Sequence, residues 1–183
     1  MAYQISDVAI AEFPNASAVN QALAEFGVAS SDLRTALLTF SCQEALRPGE
    51  GYQQHLARDL ERHLGHFIRT RPGVSPASPR YSDALGEKAD LAFSGRTGGG
   101  LYVEIEFRPN VEKDLAKFQI GHHSGRLAIG VLIVAITRGN VNPGYTTMPE
   151  FGKFARVIPE FRPQHPLLLI GIDGSHVTVE GTT

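Results

Sequence analysis

An α/β fold, a central mixed sheet flanked by helices, is predicted by three features of this 183-residue sequence. The first is Leu101-Tyr102-Val103-Glu104-Ile105-Glu106-Phe107, which alternates with period two. Leu101, Val103, Ile105 and Phe107 fall on one face of a strand; Tyr102, Glu104 and Glu106 fall on the other. The second is the apolar run from Leu127 to Ile136, whose lack of polar alternation marks a strand buried on both faces and therefore central. The third is the helical spacing of Tyr52, Leu56, Leu60, Leu64 and Phe67, opposite a charged face of Arg58, Asp59, Glu61 and Arg62.

The elements follow in order. Residues 1–70 are expected to be helical: a short helix from Ser17 to Phe26 stopped by Gly27, a second from Asp32 to Leu46 capped by Ser30 or Ser31, and a third from Tyr52 to about Arg69. Residues 71–87, with Pro72, Pro76 and Pro79, form a long irregular connection. Residues 88–183 carry the sheet core, and the whole chain, 1–183, makes a single domain. Within that core a hairpin joins Lys88–Phe93 to Leu101–Phe107. Asn110 caps a helix from Val111 to about Ile120, and Gly121 and Gly125 end it. The central strand Leu127–Thr137 comes next, then a loop, then a short helix from Pro149 to about Ile158. Leu167–Ile172 is a further strand, Asp173-Gly174 a turn, and His176–Val179 pairs back. The total is four or five strands.

Composition narrows the class. The net charge of −2 gives no overall basic signature, which counts mildly against a nucleic-acid partner while leaving local patches open. The single cysteine, Cys42, in a helix-like stretch, forms no internal disulfide, and a reducing cytoplasm fits. No apolar run is long enough to span a membrane, and the N-terminus lacks a basic-then-apolar signal pattern.

The hairpin carries the chemistry. A register symmetric about Thr97 sets Ala89 against Ile105, Leu91 against Val103 and Phe93 against Leu101, so the apolar sets coincide. It also sets Asp90 against Glu104. Cross-strand partners stand about 4.5–5.5 Å apart, where like charges repel, and a divalent cation between the two carboxylates relieves that repulsion. Mg²⁺ takes one or two carboxylates plus waters and phosphate oxygens; Asp90 and Glu104 bridge such an ion, with the Ile105 carbonyl as third ligand. Glu106, on the same face, holds an attacking water or a second ion. A bland alternative stays open at this point: an edge hairpin with one wet face alternates in the same way, and Glu106 then simply pairs with Lys88.

The order acid–loop–Glu-x-acid, amphipathic helix, buried strand resembles the PD-(D/E)XK nucleases. The stretch from about 88 to 173 resembles, more specifically, type II restriction endonucleases of the BglII and BamHI kind. The matching pieces are Val103-Glu104-Ile105-Glu106-Phe107, Lys113-Asp114-Leu115-Ala116-Lys117-Phe118, Gly125 with Ile129-Gly130-Val131-Leu132-Ile133-Val134, Thr146-Thr147, Gly152-Lys153-Phe154 and Pro166-Leu167-Leu168-Leu169-Ile170-Gly171-Ile172. Two departures stand out. Alanine rather than proline precedes Asp90, and Glu106 replaces the usual lysine, as in the BamHI-like enzymes. The second departure leaves the role of Glu106 open, though not its location.

The resemblance implies a restriction-endonuclease-like fold and Mg²⁺-dependent cleavage of double-stranded DNA at a short palindrome. It also implies a two-fold homodimer and functional pairing with a DNA methyltransferase. Asp90 and Glu104 then bind metal, and Glu106 acts as ligand or as general base. The helix before the hairpin often adds a polar residue in these enzymes, here Gln53 or, second, Glu50. Arg108, Asn110, Lys113, Lys117 and Lys153 are candidates for DNA contacts, and Arg138 and Asn140 for base edges. Each has a plainer role available: helix cap for Asn110, solvated face for the two helix lysines, ordinary loop residue for the rest. His122-His123 has no partner at metal-ligand spacing. Two other functions compete: a repair or junction-resolving nuclease of the same fold, and a non-catalytic DNA-binding or protein-interaction module.

Overall fold

Strand Leu127–Ala135 (β6) lies at the middle of the sheet, as its unbroken apolar character demands. The architecture is that of a computed structural model, which describes residues 2–43, 52–84, 86–107, 110–137 and 150–177. The other strands are β1 (Ala2–Phe13), β2 (Ser41–Gln43), β3 (Ser75–Pro76), β4 (Leu91–Ser94), β5 (Gly100–Glu106) and β7 (Leu167–Val177). The spatial order is β2-β1-β7-β6-β5-β4-β3. The inner three strands, β7, β6 and β5, run parallel, and both flanks are antiparallel.

Helices cover both faces. On one, α1 (Ala16–Ala24), α2 (Ser30–Leu38) and α3 (Tyr52–Arg69) bury Leu23, Leu33, Leu37, Leu56, Leu60, Leu64 and Ile68 against Leu101, Val103, Ile105, Val131 and Ile133 of the sheet. On the other, α4 (Val111–His123) and α5 (Glu150–Val157), followed by a 3₁₀ turn at Ile158–Phe161, bury Leu115, Phe118, Phe154 and Ile158 against Tyr102, Leu132, Val134 and Leu169. The α/β class and the central mixed sheet therefore stand as expected.

Several elements differ from expectation, each for a local reason. The N-terminal third is not all helix, because Ala2–Phe13 forms the long strand β1. Its period breaks at a bulge between Ile5 and Asp7, so Tyr3 and Ile5 precede it and Val8 follows at odd spacing, all facing the same core. The second helix ends at Leu38, not Leu46, and the chain then extends into β2, which carries the buried Cys42. Neither Ser30 nor Ser31 caps that helix; the Asp32 carboxylate accepts the Ala29 N–H instead, at 2.8 Å. Helix α4 continues through Gly121 to His123, and Gly125, at φ +70°, follows its end.

Asp173-Gly174 is no turn: β7 runs straight through it to pair with β1. A Cβ at Gly174 would lie 2.3 Å from the Gln4 carbonyl oxygen and 2.6 Å from the Tyr3 ring, so glycine is there for close backbone approach. The connection after α3 contains β3 and an isolated antiparallel bridge between Arg80 and Lys88. The described strands thus number seven rather than four or five.

Candidate active site

The hairpin register holds over its inner part, where Leu91 pairs with Val103 and Phe93 with Leu101; the expected pairs of Ala89 with Ile105 and of Asp90 with Glu104 fall outside the ladder, and Ala89 packs in the opposite core from Ile105. Strand β4 begins at Leu91, and its ladder with β5 stops there, short of Lys88 and Glu106; the Lys88 backbone bridges Arg80 on the β3 side. Asp90 sits just before that point. Its Oδ2 accepts the Ile105 backbone N–H at 2.7 Å, which ties the acid across to β5. It is solvent-accessible on the rim of the sheet, yet crowded enough that burial raises its carboxyl, against the lowering pull of the Ile105 N–H and of Lys117.

Glu104 lies on the α4 face of β5 and is almost fully enclosed. Its Oε1 accepts from the Tyr81 hydroxyl at 2.7 Å and from Lys117 Nζ at 3.1 Å. Burial pushes its carboxyl up to about 7; the Tyr81 hydrogen bond lowers it, the Asp90 charge raises it and Lys117 lowers it. The Asp90 charge thus acts on Glu104, although Asp90 itself precedes the paired residues of β4. Glu106, half-buried at the end of β5, is raised by burial first, then by Asp114, with Lys117 and Lys113 acting against. Ile105 points its side chain into the opposite core, and β5 pairs it with Ile133 of β6.

Three further residues join this group without having been singled out for it. Tyr81, fully buried, comes from the connection before the hairpin and stacks on Tyr102 at 5.1 Å between ring centroids. Asp114, on α4, is buried, with Oδ1 at 3.2 Å from Lys117 Nζ and Oδ2 without a hydrogen-bond partner. Glu61, on α3, has its carboxyl pushed up to about 7 by burial and then by Asp90. This acid stands in the middle of the helix before the hairpin. Glu61 follows Leu60 on the flank of the apolar stripe, and that flanking position was the available sign. Glu50 and the side chain of Gln53 lie outside the described residues.

The remaining candidates separate. Asn110 is the helix cap, accepting from the Lys113 N–H at 3.1 Å. Lys113 is exposed and pairs with Glu87 at 3.4 Å, whereas Lys117, one turn on, points into the carboxylate group. Lys153 is exposed on α5. Arg108, Arg138 and Asn140, with Thr146 and Thr147, lie outside the described residues.

All the acidic donors here are hard oxygens, and buried carboxylates raised by burial gain from a compensating cation. Among the described residues no three acidic, histidine or cysteine side chains are gathered closely enough to enclose an ion by themselves.

A mixed sheet with helices on both faces and acids clustered on the hairpin beside its central strands makes this a restriction-endonuclease-like fold. The chain belongs to the restriction endonuclease BglII/BglIII family, whose model matches residues 8–172. Membership in that family makes it a site-specific deoxyribonuclease, with DNA as substrate. No curated protein matches the sequence.

Proposed function

We propose that the protein is a Mg²⁺-dependent type II restriction enzyme that cuts double-stranded DNA at a short palindrome, acting as a homodimer alongside a protective DNA methyltransferase. The observation that carries this reading is Glu104: a buried carboxylate on the α4 face of β5, pushed up to about 7 and within electrostatic reach of Asp90. Asp90, Glu104 and the Ile105 carbonyl would hold the ion. When bound, Mg²⁺ supplies positive charge at the phosphate and acidifies a coordinated water.

Asp90 keeps its orientation through the Ile105 N–H, and Glu104 through Tyr81. Glu106 takes the proton of the attacking water, a role suited to a carboxyl raised by burial and by Asp114. The water oxygen bonds to phosphorus, one bridging P–O bond breaks, and the leaving oxygen takes a proton from solvent. Glu61, in the field of Asp90, is an accessory acid from the opposite side.

Digestion of mixed plasmid and phage DNA with Mg²⁺, followed by end sequencing, tests the reading. Discrete fragments with one shared palindrome at their ends are expected. Cleavage confined to branched or damaged DNA would make it a repair or junction nuclease, and no metal-dependent cutting of any DNA would leave only a binding module.

A further inference from the structure

Lys117 is the feature that the proposed chemistry leaves unused. Position 106 is a glutamate, so β5 offers no basic group to the phosphate. Lys117 reaches the same place from α4. Its side chain is 12% exposed, and its ammonium lies 3.1 Å from Glu104 Oε1 and 3.2 Å from Asp114 Oδ1. It lowers the carboxyls of Asp90, Glu104, Glu106 and Asp114 alike, which places one cation within reach of all four acids. Lys113 is spent on Glu87 at the surface.

Asp114 supplies the second observation. It is 1% exposed, and its Oδ2 has no partner. A buried carboxylate oxygen without a hydrogen bond costs free energy. As a mere pin for the fold, this acid would be a poor choice. As a second seat for Lys117 it has a use, because an ammonium that loses Glu104 still has a carboxylate to rest on.

We propose that Lys117 is the basic catalytic group of this site: its ammonium is seated on Glu104 and Asp114, and with a divalent ion on Glu104 it would rest on Asp114 and face the scissile phosphate. Asp114 is then a positioning residue. The inference rests on the nuclease reading above. It makes the ammonium a competitor of the ion in the DNA-free protein and a partner of the ion when DNA is present.

Those two roles pull a single variant in opposite directions. The comparison is of the parent, Lys117→Met and Lys117→Arg, each checked for folding by circular dichroism. Mn²⁺ binding is read by electron paramagnetic resonance without DNA, and single-turnover cutting is read on plasmid DNA. Lys117→Met should bind Mn²⁺ about tenfold more tightly, the worth of one charge-assisted hydrogen bond, while cutting at least about a hundredfold more slowly, the usual loss of a transition-state charge donor. Lys117→Arg should keep more of the cutting rate than Lys117→Met. If Lys117→Met does not fold, Lys117→Gln, which still hydrogen-bonds Asp114, replaces it with the same expectations.

Weaker Mn²⁺ binding together with slow cutting would mean a structural pin and overturn the inference. So would cutting at the parent rate. A parent that cuts no DNA with any divalent ion sinks the nuclease reading and this inference together, whereas a parent that cuts alongside an equally active Lys117→Met sinks the inference alone.

Discussion

Glu106 ends β5 with burial first, then Asp114 and Asp90, pressing its carboxyl toward the neutral form and Lys117 and Lys113 resisting. Glu106→Lys should be nearly inactive in single-turnover cleavage at saturating Mg²⁺. An ammonium a few ångströms from a cation site costs several kcal/mol even at intermediate dielectric, and about 1.4 kcal/mol is tenfold in rate. Glu106→Gln keeps the shape and should lose less. Near-equal rates for all three proteins would remove Glu106 from the chemistry. Glu104→Ala should abolish cutting while DNA affinity without Mg²⁺ stays level or tightens, since the variant removes a negative charge facing the phosphates; a fall in that affinity with intact folding would argue against metal binding by Glu104. At this scale Glu104 and Glu106 were legible as neighbours on one strand face, because period two fixes which residues share a face; Asp90 precedes β4, where that period has lapsed. Tyr81 and Asp114 were not legible, because a tyrosine in an irregular connection and an aspartate in a first helical turn carry no periodic signal of a buried partner across the sheet.

Between residue and fold, the elements show where pattern suffices. The inner β4–β5 register and the span of α3 follow from uninterrupted periodicity, and the central place of β6 from an apolar run without alternation. β1 escaped because its bulge offsets the two halves of its apolar face, and β7 was cut short because Asp-Gly so often turns. The element that sets the site, though, is the contact of α4 with the connection before the hairpin. Gly121 lets Tyr81 lie against α4: a Cβ there would stand 2.9 Å from the Tyr81 ring. Tyr81 in turn fixes Glu104. Tyr81→Phe should keep the packing and lose the hydroxyl, slowing cleavage about tenfold to a hundredfold, the range for partners that orient metal ligands. Tm should change little beyond the loss of one hydrogen bond of about 1 kcal/mol. An unchanged rate would mean that Glu104 needs no orienting partner.

For the molecule as a whole, buried acids make stability depend on pH and on the ion together. Burial raises Glu104 and Glu61 from an ordinary 4.5 to about 7. Between those values the folded protein holds protons that the unfolded chain has released, so without a divalent ion these groups cost stability as pH rises through that window. His165 acts in the opposite sense. Burial first, then His122 and His123, lower it from 6.5 to about 4, so its contribution is lost as pH falls through that range. The rise in Tm on adding Mg²⁺ separates the two effects, because only the carboxylates meet the ion. It should be small near about pH 5.5 and larger near about pH 8; equal increments would speak against an ion on these acids. Symmetric cutting of a palindrome further requires two chains per duplex in sedimentation with cognate DNA, and a strictly monomeric complex would point to nicking or repair.

The clasp between β1 and β7 also sets a timetable for folding. Ala2 lies opposite Val177 and Phe13 opposite Leu167, so some of the earliest residues pair with some of the latest. Non-local pairing of this kind slows folding, because loop entropy is lost before the contacts repay it. The hairpin that bears Asp90 and Glu104 is local and forms without waiting. One edge of β6, however, has no neighbour until β7 arrives, and β7 has none on its far side until β1 returns to it. During synthesis the emerging chain therefore carries its acids well before it owns a closed sheet to brace them, and a partly made copy has an open strand edge to be guarded instead of a finished blade.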